Sequence, residues 1–190
     1  KVLKGLEGIR LRYDMYAGSK DQVSLHLVKE TVDNSIDEFM NGFSTFVKVV
    51  YDIDKNKITV SDDGRGLPIG IHPEEKKPTI EVLFSNLHAS GKFDKDSFKV
   101  SAGKNGCGSK LINALSESLT VSSIRDGYKY SMKFSRGKTL TDLVKTKNNT
   151  KLKHGTVIEF IPDEEVLDEF VTINEDDLID NLKERAYCNA

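Results

Sequence analysis

The sequence predicts an α+β fold in which one layer of helices covers one face of a mixed, mainly antiparallel sheet. Two observations predict it: helical and strand-like patterns follow each other without a regular βαβ order, and the strand-like runs are joined mainly by hairpins. A third is size, because 190 residues, 37% of them hydrophobic, can bury the core of a single domain.

The first long helix is predicted at residues 24–41. Its apolar side chains recur three and four positions apart, which makes one stripe along a helix: Leu25, Val28, Val32, Ile36 and Phe39. Ser24 can cap the start of this helix and Gly42 can end it. Residues 2–12 already show a helical pattern, and because it begins at once we expect the chain to be a piece of a longer protein.

A hairpin is predicted directly after this helix. Residues 46–54 and 57–62 are strand-like, and the turn residues Lys55 and Asn56 join them. The second strand stops at the run Asp-Asp-Gly-Arg-Gly, residues 62–66.

The second half of the chain contains a long segment with little apolar periodicity. This segment, residues 88–103, follows a short helix predicted at 79–87, and loops of such length in compact domains are usually functional. The remaining patterns predict strands at 119–124, 128–135 and 156–162, and helices at 108–116 and 174–187. Five aromatic residues in apolar settings are predicted core: Phe43, Phe46, Tyr51, Phe84 and Phe160.

Charge and composition exclude several classes of protein. Lys and Arg (28) nearly balance Asp and Glu (30), so no global positive field makes this chain a main nucleic-acid-binding surface. The apolar runs are far shorter than the roughly 20 residues that cross a bilayer, so we expect a soluble, intracellular protein without a membrane partner. Cys107 and Cys188 are expected to be reduced thiols, and no zinc spacing is present.

One face of the 24–41 helix is acidic and polar. Glu30, Asn34, Asp37 and Glu38 lie at i, i+4, i+7 and i+8, opposite the apolar stripe. Taken alone, this pattern is more typical of an ordinary solvated helix face than of a functional site.

Two glycine-rich segments give that face a context. Gly64 and Gly66 follow a strand within three residues, as a sharp turn or a close backbone approach requires. Residues 103–108, Gly-Lys-Asn-Gly-Cys-Gly, open into a helix, where exposed amides form a ready anion site. Each segment alone could merely satisfy backbone geometry.

Four segments together, KETVDNSIDE, VSDDGRGLPIGIHPEE, LHASGKFD and SAGKNGCGSKLINALS, resemble the ATP-binding motifs of the GHKL superfamily in order and separation. GIHPEE and HASGKFD resemble its type IIA DNA topoisomerase branch, which includes gyrase B and topoisomerase IV. The resemblance implies a two-layer sandwich of the Bergerat type. It also implies one N-terminal ATP-binding domain over residues 1–190, with a mobile ATP lid at 88–108.

The resemblance implies a role for each matching residue. Glu30 matches the general base that activates the attacking water, and Asn34 matches the residue that coordinates Mg²⁺ through its amide oxygen. Asp62 matches the acceptor of the adenine amino group. The implied ATP-binding set is Asn34, Glu38, Asp62, Gly64, Arg65, Gly66, Pro68, Lys92, Gly103, Lys104, Asn105, Gly106, Cys107, Gly108 and Thr156.

Within this set, the resemblance assigns each group a part of the nucleotide. Gly64 and Gly66 let the backbone approach the base, Arg65 and Pro68 wall the adenine pocket, and the Thr156 hydroxyl shares in holding adenine. Lys92, Lys104 and the amides of residues 105–108 surround the β- and γ-phosphates. Asp37 and Glu38 are expected to pair with Arg65, although a solvated acidic pair fits the sequence equally well.

The function implied is ATP binding and hydrolysis in a type IIA topoisomerase, where ATP closes a homodimer that passes one DNA duplex through another. A separate subunit or domain would cleave the DNA, and a bacterial protein would work in the cytoplasm. The alternatives are a eukaryotic- or phage-type topoisomerase II, which the pair Lys104-Asn105 resembles, and a nucleotide switch without efficient hydrolysis. Bacterial members carry an arginine outside the pocket that holds aminocoumarin inhibitors; alignment places Ser131 there.

Overall fold

The computed structural model describes residues 5–86, 107–167 and 172–188. The described helices are α1 (Glu7–Leu11), α2 (Asp14–Ala17), α3 (Val23–Met40), α4 (Thr79–Ser85), α5 (Gly108–Ala114), α6 (Glu164–Leu167) and α7 (Glu175–Cys188), with a 3₁₀ turn at Lys20–Gln22. The strands are β1 (Val47–Asp52), β2 (Lys57–Asp62), β3 (Ser116–Arg125), β4 (Tyr128–Ser135), β5 (Lys138–Thr139), β6 (Val144–Lys147) and β7 (Gly155–Pro162).

The described strands form one sheet in the order β1-β2-β7-β3-β4-β5, with β6 also paired to β4. Every pair among them is antiparallel, and β7 joins the two hairpins β1–β2 and β3–β4 by lying between them. The predicted α+β class and the β1–β2 hairpin are therefore confirmed.

The core lies between one face of this sheet and helices α3, α4 and α5. Strand residues alternate between the two faces, so β2 buries Ile58, Val60 and Asp62 while the residues between them are half exposed. From β7 and β3, Ile158, Phe160, Leu119 and Val121 complete the sheet side of the core, and α3 contributes Leu27, Val28 and Val32.

The buried face of helix α3 overlaps the predicted apolar stripe only in part, at Val28 and Val32, which are buried as predicted. Its buried residues are Val23, Ser24, Leu27, Val28, Thr31, Val32 and Ser35. Leu25 and Ile36 are only partly buried, and Phe39 is 41% exposed. The pattern was misleading because α3 packs against α5 as well as the sheet, and its buried residues include small polar side chains that an apolar pattern does not register.

The predicted end of α3 is confirmed, whereas its predicted cap is wrong. Gly42 has φ of 76°, its N–H donates to the Phe39 carbonyl, and the N–H of Phe43 donates to the Glu38 carbonyl, which is the Schellman pattern. Ser24 lies buried inside the helix and does not cap it; Gln22 occupies the cap position.

Two of the aromatic residues predicted to be core are at the surface. Phe43 and Phe46 are 46% and 40% exposed because they belong to the loop between α3 and β1, while Phe84 and Phe160 are buried as predicted. No helix among the described residues is long and apolar enough to cross a membrane.

Candidate functional site

Asp62, the last residue of β2, is a buried carboxylate held by three donors. Its Oδ1 accepts the backbone N–H groups of Gly64 (2.9 Å) and Thr156 (3.2 Å), and its Oδ2 accepts the Ser35 hydroxyl (2.8 Å). Only 2% of Asp62 is exposed. An ionised carboxylate has about four acceptor positions, so Oδ2 retains capacity for one further donor.

Burial raises the pKa of Asp62 above its ordinary value, although the hydrogen bonds from Ser35, Gly64 and Thr156 act in the opposite direction. Thr156 stands directly opposite Asp62 in the β2–β7 register, which is why its amide reaches the carboxylate. The strand pairing therefore aims a fixed acceptor before any ligand arrives.

Three glycines allow the chain to close around Asp62. A Cβ at Gly64 would lie 2.9 Å from Glu38 Oε2, and one at Gly66, whose φ is 73°, would lie 2.7 Å from Ser123 Oγ. At Gly155, whose φ is 131°, a Cβ would collide with the backbone carbonyl of Asp62. The turn after β2 and the start of β7 thus pack with no room for side chains.

Arg65 is fixed on both sides of its guanidinium. Glu38 Oε2 accepts its backbone N–H (3.0 Å) and its Nε (3.1 Å), and Glu38 Oε1 accepts Nη2 (2.6 Å). The Arg65 Cζ lies 3.7 Å from the centroid of the Phe43 ring. The expected pairing of Glu38 with Arg65 is therefore present; the carbonyl of Asp37 accepts hydrogen bonds from the side chain and the backbone N–H of Asn41.

Arg125 and His154 complete a rim beside this turn. Arg125 Nη2 donates to the Arg65 carbonyl (2.9 Å), and His154 Nδ1 donates to the Gly64 carbonyl (2.8 Å), since a carbonyl can only accept. Together with Phe43, these residues line an open cavity of about 510 Å³.

Glu30 faces the start of α5. A Cβ on Gly108 would collide with Glu30 Oε2, so the absence of a side chain at Gly108 leaves room for this carboxylate. Glu30 Oε1 lies 3.5 Å from Nε2 of His26, one turn earlier, and the side chain is 28% exposed. Asn34, one turn later, is half buried. Glu30 and Asn34 thus share one face of α3 near the N terminus of α5.

Helix α5 also carries a buried lysine. Lys110 is 2% exposed, and burial lowers its pKa. Cys107 occupies the N-cap position without capping through its side chain. Most of the expected lid at 88–108 lies outside the described residues. So do the other expected phosphate-binding residues, which are Lys92, Gly103, Lys104, Asn105 and Gly106.

The strand registers contradict the placement of Ser131 beside the pocket. Ser123 and Thr156 pair, and both lie on the face of Asp62, whereas Ser131 pairs with Ser122 and points to the opposite face. The arginine at the rim of the open cavity is Arg125. The prediction was wrong because an alignment of sequences does not reveal the strand register.

Sequence reasoning also missed Ser35, Gly155, Arg125 and His154. The signal for Ser35 was a serine inside a helix, next to Asn34, but only the packing of α3 on β2 turns its hydroxyl toward Asp62. Pro68 lies half exposed beyond the turn. No group of three or more His, Cys, Asp or Glu side chains in the described part of the chain could hold a metal ion.

Comparison with known proteins agrees with this geometry. The family model of histidine kinase-, DNA gyrase B-, and HSP90-like ATPases matches residues 20–166. The B subunit of DNA gyrase from Mycoplasma genitalium is 45% identical over 192 residues, which cover 100% of this chain and 29% of the relative. The B subunit of DNA topoisomerase 4 from Staphylococcus epidermidis is 46% identical over 189 residues, 98% of this chain and 28% of the relative.

A solved structure shows the same fold. The 43K ATPase domain of Thermus thermophilus gyrase B, in complex with an aminocoumarin, superposes with a TM-score of 0.84 at 35% identity, covering 99% of this chain and 47% of that one. The chain spans less than a third of the length of these curated relatives. Its sheet, its anchored acceptor and the match over residues 20–166 show that the chain belongs to the family of histidine kinase-, DNA gyrase B-, and HSP90-like ATPases.

Proposed function

We propose that this chain is the ATP-binding and ATP-hydrolysing domain of a type IIA DNA topoisomerase. The observation that carries the proposal is Asp62, a buried acceptor at a strand end with capacity for one more donor. The amino group of adenine supplies such a donor. The relatives, which are the B subunits of DNA gyrase and of DNA topoisomerase 4, support the topoisomerase assignment.

The surrounding groups suit a purine ring. Gly64 and Gly66 have no side chains, so a ring could approach the backbone beside Asp62. Arg65 and Pro68 would form the outer wall of the pocket. Thr156 is 9% exposed and lies beside the acceptor on the neighbouring strand, where its hydroxyl can join the same hydrogen-bond network. The base would enter between the turn and β7.

Hydrolysis is assigned to Glu30. The carboxylate is partly exposed and lies against the backbone at the start of α5, so a water between Glu30 and the terminal phosphate could lose its proton to it. His26, 3.5 Å away, is placed to orient the carboxylate.

The Asn34 side chain fits the Mg²⁺ that the family implies. Mg²⁺ prefers oxygen ligands and is usually bound by few protein groups together with substrate phosphates. The amide oxygen of Asn34 is one such ligand, and the phosphates could supply others. When bound, the ion would neutralise phosphate charge.

The wider activity follows from the relatives and is proposed on that basis. ATP binding would close a homodimer of the parent protein, and a DNA-cleaving partner would open one duplex for the passage of another. The parent enzyme would work in the cytoplasm.

The test compares two nucleotides that differ at the group facing Asp62. Calorimetry with a nonhydrolysable ATP analogue and with the matching inosine nucleotide, which carries a carbonyl oxygen in place of the amino group, isolates this contact. We expect the ATP analogue to bind and the inosine analogue to bind at least about tenfold more weakly, because a site built for a donor is left unpaired. Equal affinities would show that Asp62 is only a turn residue.

A further inference from the structure

The near-neutral charge of the whole chain conceals a strongly basic segment. Residues 128–153, here called the basic ribbon, contain eight Lys or Arg and one Asp. The other residues carry 20 basic and 29 acidic side chains. A net charge of +7 in 26 residues therefore stands against −9 in the remainder. Such segregation creates a local positive field that the total charge does not reveal.

The basic ribbon is built on the antiparallel pair β4–β6 at one side of the sheet. Tyr128 pairs with Lys147 and Tyr130 with Lys145, so two lysines and two tyrosines share one face. All four residues of β6 are exposed. The exposed lysines of the ribbon are Lys133, Lys138, Lys145, Lys147, Lys151 and Lys153.

The ammonium group of Lys145 lies over one face of each tyrosine ring. Lys145 Nζ lies 3.9 Å from the centroid of Tyr128 and 5.6 Å from that of Tyr130. A ring face occupied in this way cannot serve as a stacking platform for an unpaired base. The surface therefore suits contacts with phosphates on the outside of a duplex better than contacts with single strands.

The basic ribbon is separate from the nucleotide site. A single row of paired residues crosses the sheet from Asp62 through Thr156, Ser123 and Tyr130 to Lys145. Four strand spacings of about 4.8 Å place Lys145 roughly 19 Å from Asp62. Changes in the ribbon can therefore be tested without touching the residues assigned to ATP.

We propose that the basic ribbon binds the phosphate backbone of duplex DNA without sequence preference, with Lys145 and Lys147 as its central contacts. The choice of DNA among polyanions rests on the proposed function. The charge, exposure and pairing of the strands carry the assignment of the surface. This ribbon would add a DNA contact within the ATP-binding domain itself.

The experiment measures binding of the chain to a labelled duplex of about 20 base pairs by fluorescence anisotropy between about 50 and 200 mM salt. The double variant Lys145→Glu/Lys147→Glu is expected to bind about tenfold more weakly and to lower the slope of log K against log salt by about two. A second variant, Lys145→Ala/Lys147→Ala, removes the two charges without adding repulsion. It is expected to lower the slope by the same amount, and it tests the proposal even if charge reversal disrupts β6.

The matched control is Lys48→Glu/Lys183→Glu, which changes net charge equally at exposed lysines outside the ribbon. The proposal is overturned if the ribbon variants lose no more affinity than this control. It is also overturned if they lose binding to phosphatidylserine vesicles while DNA binding persists. Binding of the ATP analogue, measured on the same preparations, is expected to be unchanged. If the unmodified chain does not bind the ATP analogue but the ribbon variants still lose DNA affinity, the proposed function is refuted and the DNA-binding role of the basic ribbon is supported.

Discussion

The neighbouring carboxylates Asp62 and Asp63 occupy opposite electrostatic environments. Burial raises the pKa of Asp62. Burial acts on Asp63 in the same direction, but hydrogen bonds from Thr45, Ser44 and the Phe46 amide outweigh it and hold the pKa of Asp63 well below its ordinary value. Asp63 fastens the loop before β1, whereas Asp62 is left as an acceptor whose charge is costly to bury.

Asp62→Asn separates nucleotide binding from folding. The asparagine Oδ1 can keep both amide donors, and its NH₂ can donate to the Ser35 hydroxyl, but its second N–H then meets the adenine amino group. The folded-state pKa of Asp62 lies above the ordinary 3.8, so the free energy of unfolding falls as pH rises from 3.8 through the folded-state pKa. We expect calorimetry to show nearly abolished ATP binding and thermal unfolding at pH 7 to show an unchanged or higher Tm.

The control for this variant is Asp54→Asn, at an exposed position of the β1–β2 turn, where neither quantity should move. A marked fall in the Tm of Asp62→Asn would mean that misfolding, and not mispairing with adenine, removes the binding.

Glu30→Gln tests the assignment of the general base. The amide keeps the size of the side chain but cannot take a proton from water, so hydrolysis should fall by about 10² to 10⁴-fold while ATP affinity changes little. Single-turnover hydrolysis and equilibrium binding, measured in a longer form of the parent protein, check both. Asp37→Asn on the same helix is the control, and unchanged turnover in Glu30→Gln would favour a nucleotide switch or a solvated face.

Arg125 is the rim residue on which an aminocoumarin should depend. Its guanidinium already donates to the Arg65 carbonyl and lines the open cavity, and a serine cannot make its bidentate charged contacts. Arg125→Ser should therefore weaken aminocoumarin binding about tenfold or more, as measured by calorimetry. Ser131→Arg, on the other face of the sheet, is expected to bring no gain; a gain would support the placement of Ser131 beside the pocket.

At the scale of elements, hydrophobic periodicity predicted the helices and strands better than their burial. The β1–β2 hairpin follows from alternating side chains around a turn, and both are local. The buried face of α3 does not follow from the local pattern, because α3 also contacts α5, whose residues are about 80 positions away in the chain. Ser24, Thr31 and Ser35 are polar and escape any apolar pattern, yet they are buried.

Gly108→Ala tests the approach of α5 to α3. The new methyl would meet Glu30 Oε2, while the helix itself would tolerate alanine well. We expect hydrolysis to fall at least about tenfold as Glu30 is displaced, with little change in Tm. Gly70→Ala is the control, since a Cβ there meets nothing within 4 Å. Full turnover in Gly108→Ala would show that this contact does not position Glu30.

At the scale of the whole molecule, one buried carboxylate ties together elements that are distant in sequence. Asp163, fully buried after β7, accepts from Arg136 Nε (3.1 Å) and pairs with Arg10 Nη1 of α1 (2.6 Å). Arg10 Nη1 also donates to the Ala114 carbonyl at the end of α5 (2.7 Å). The N-terminal helix is thereby joined to the helix that opens beside Glu30.

Asp163→Asn should destabilise the fold by about 1.5 to 3 kcal/mol, because the buried amide can no longer make charge-assisted hydrogen bonds to the partly exposed guanidinium groups of Arg10 and Arg136. Burial opposes ionisation of Asp163, but Arg136 and Arg10 hold its pKa below the ordinary 3.8. Its contribution is therefore present above that value and lost as pH falls through the folded-state pKa. Denaturant unfolding should show the full difference at pH 7 and a smaller one in acid; Asp180→Asn, which is exposed, is the control.

Residue spacing predicted the candidate site only where its residues share a segment. Helical spacing places Glu30, Asn34 and Glu38 on one face, and the turn requires Gly64 and Gly66. The roles of these residues, and that of Thr156, are implied only by the resemblance to the GHKL motifs. Thr156, Arg125 and His154 reach Asp62 and its turn through the pairing of β7 with β2 and β3, and a single sequence does not specify which distant strands pair. The charge of the basic ribbon was hidden for a different reason, because it cancels in the sum over the chain.

The donors that anchor Asp62 set a limit on how this protein can evolve drug resistance. Two of them are main-chain amides, which only a substitution by proline could remove, and Gly155 admits no side chain that could shift the strand. Selection by a compound seated only on Asp62 therefore has few viable mutations to act on. A compound that extends to Arg125 and His154 gains contacts but touches side chains that can be exchanged without rebuilding the sheet, and resistance alleles are expected to collect there.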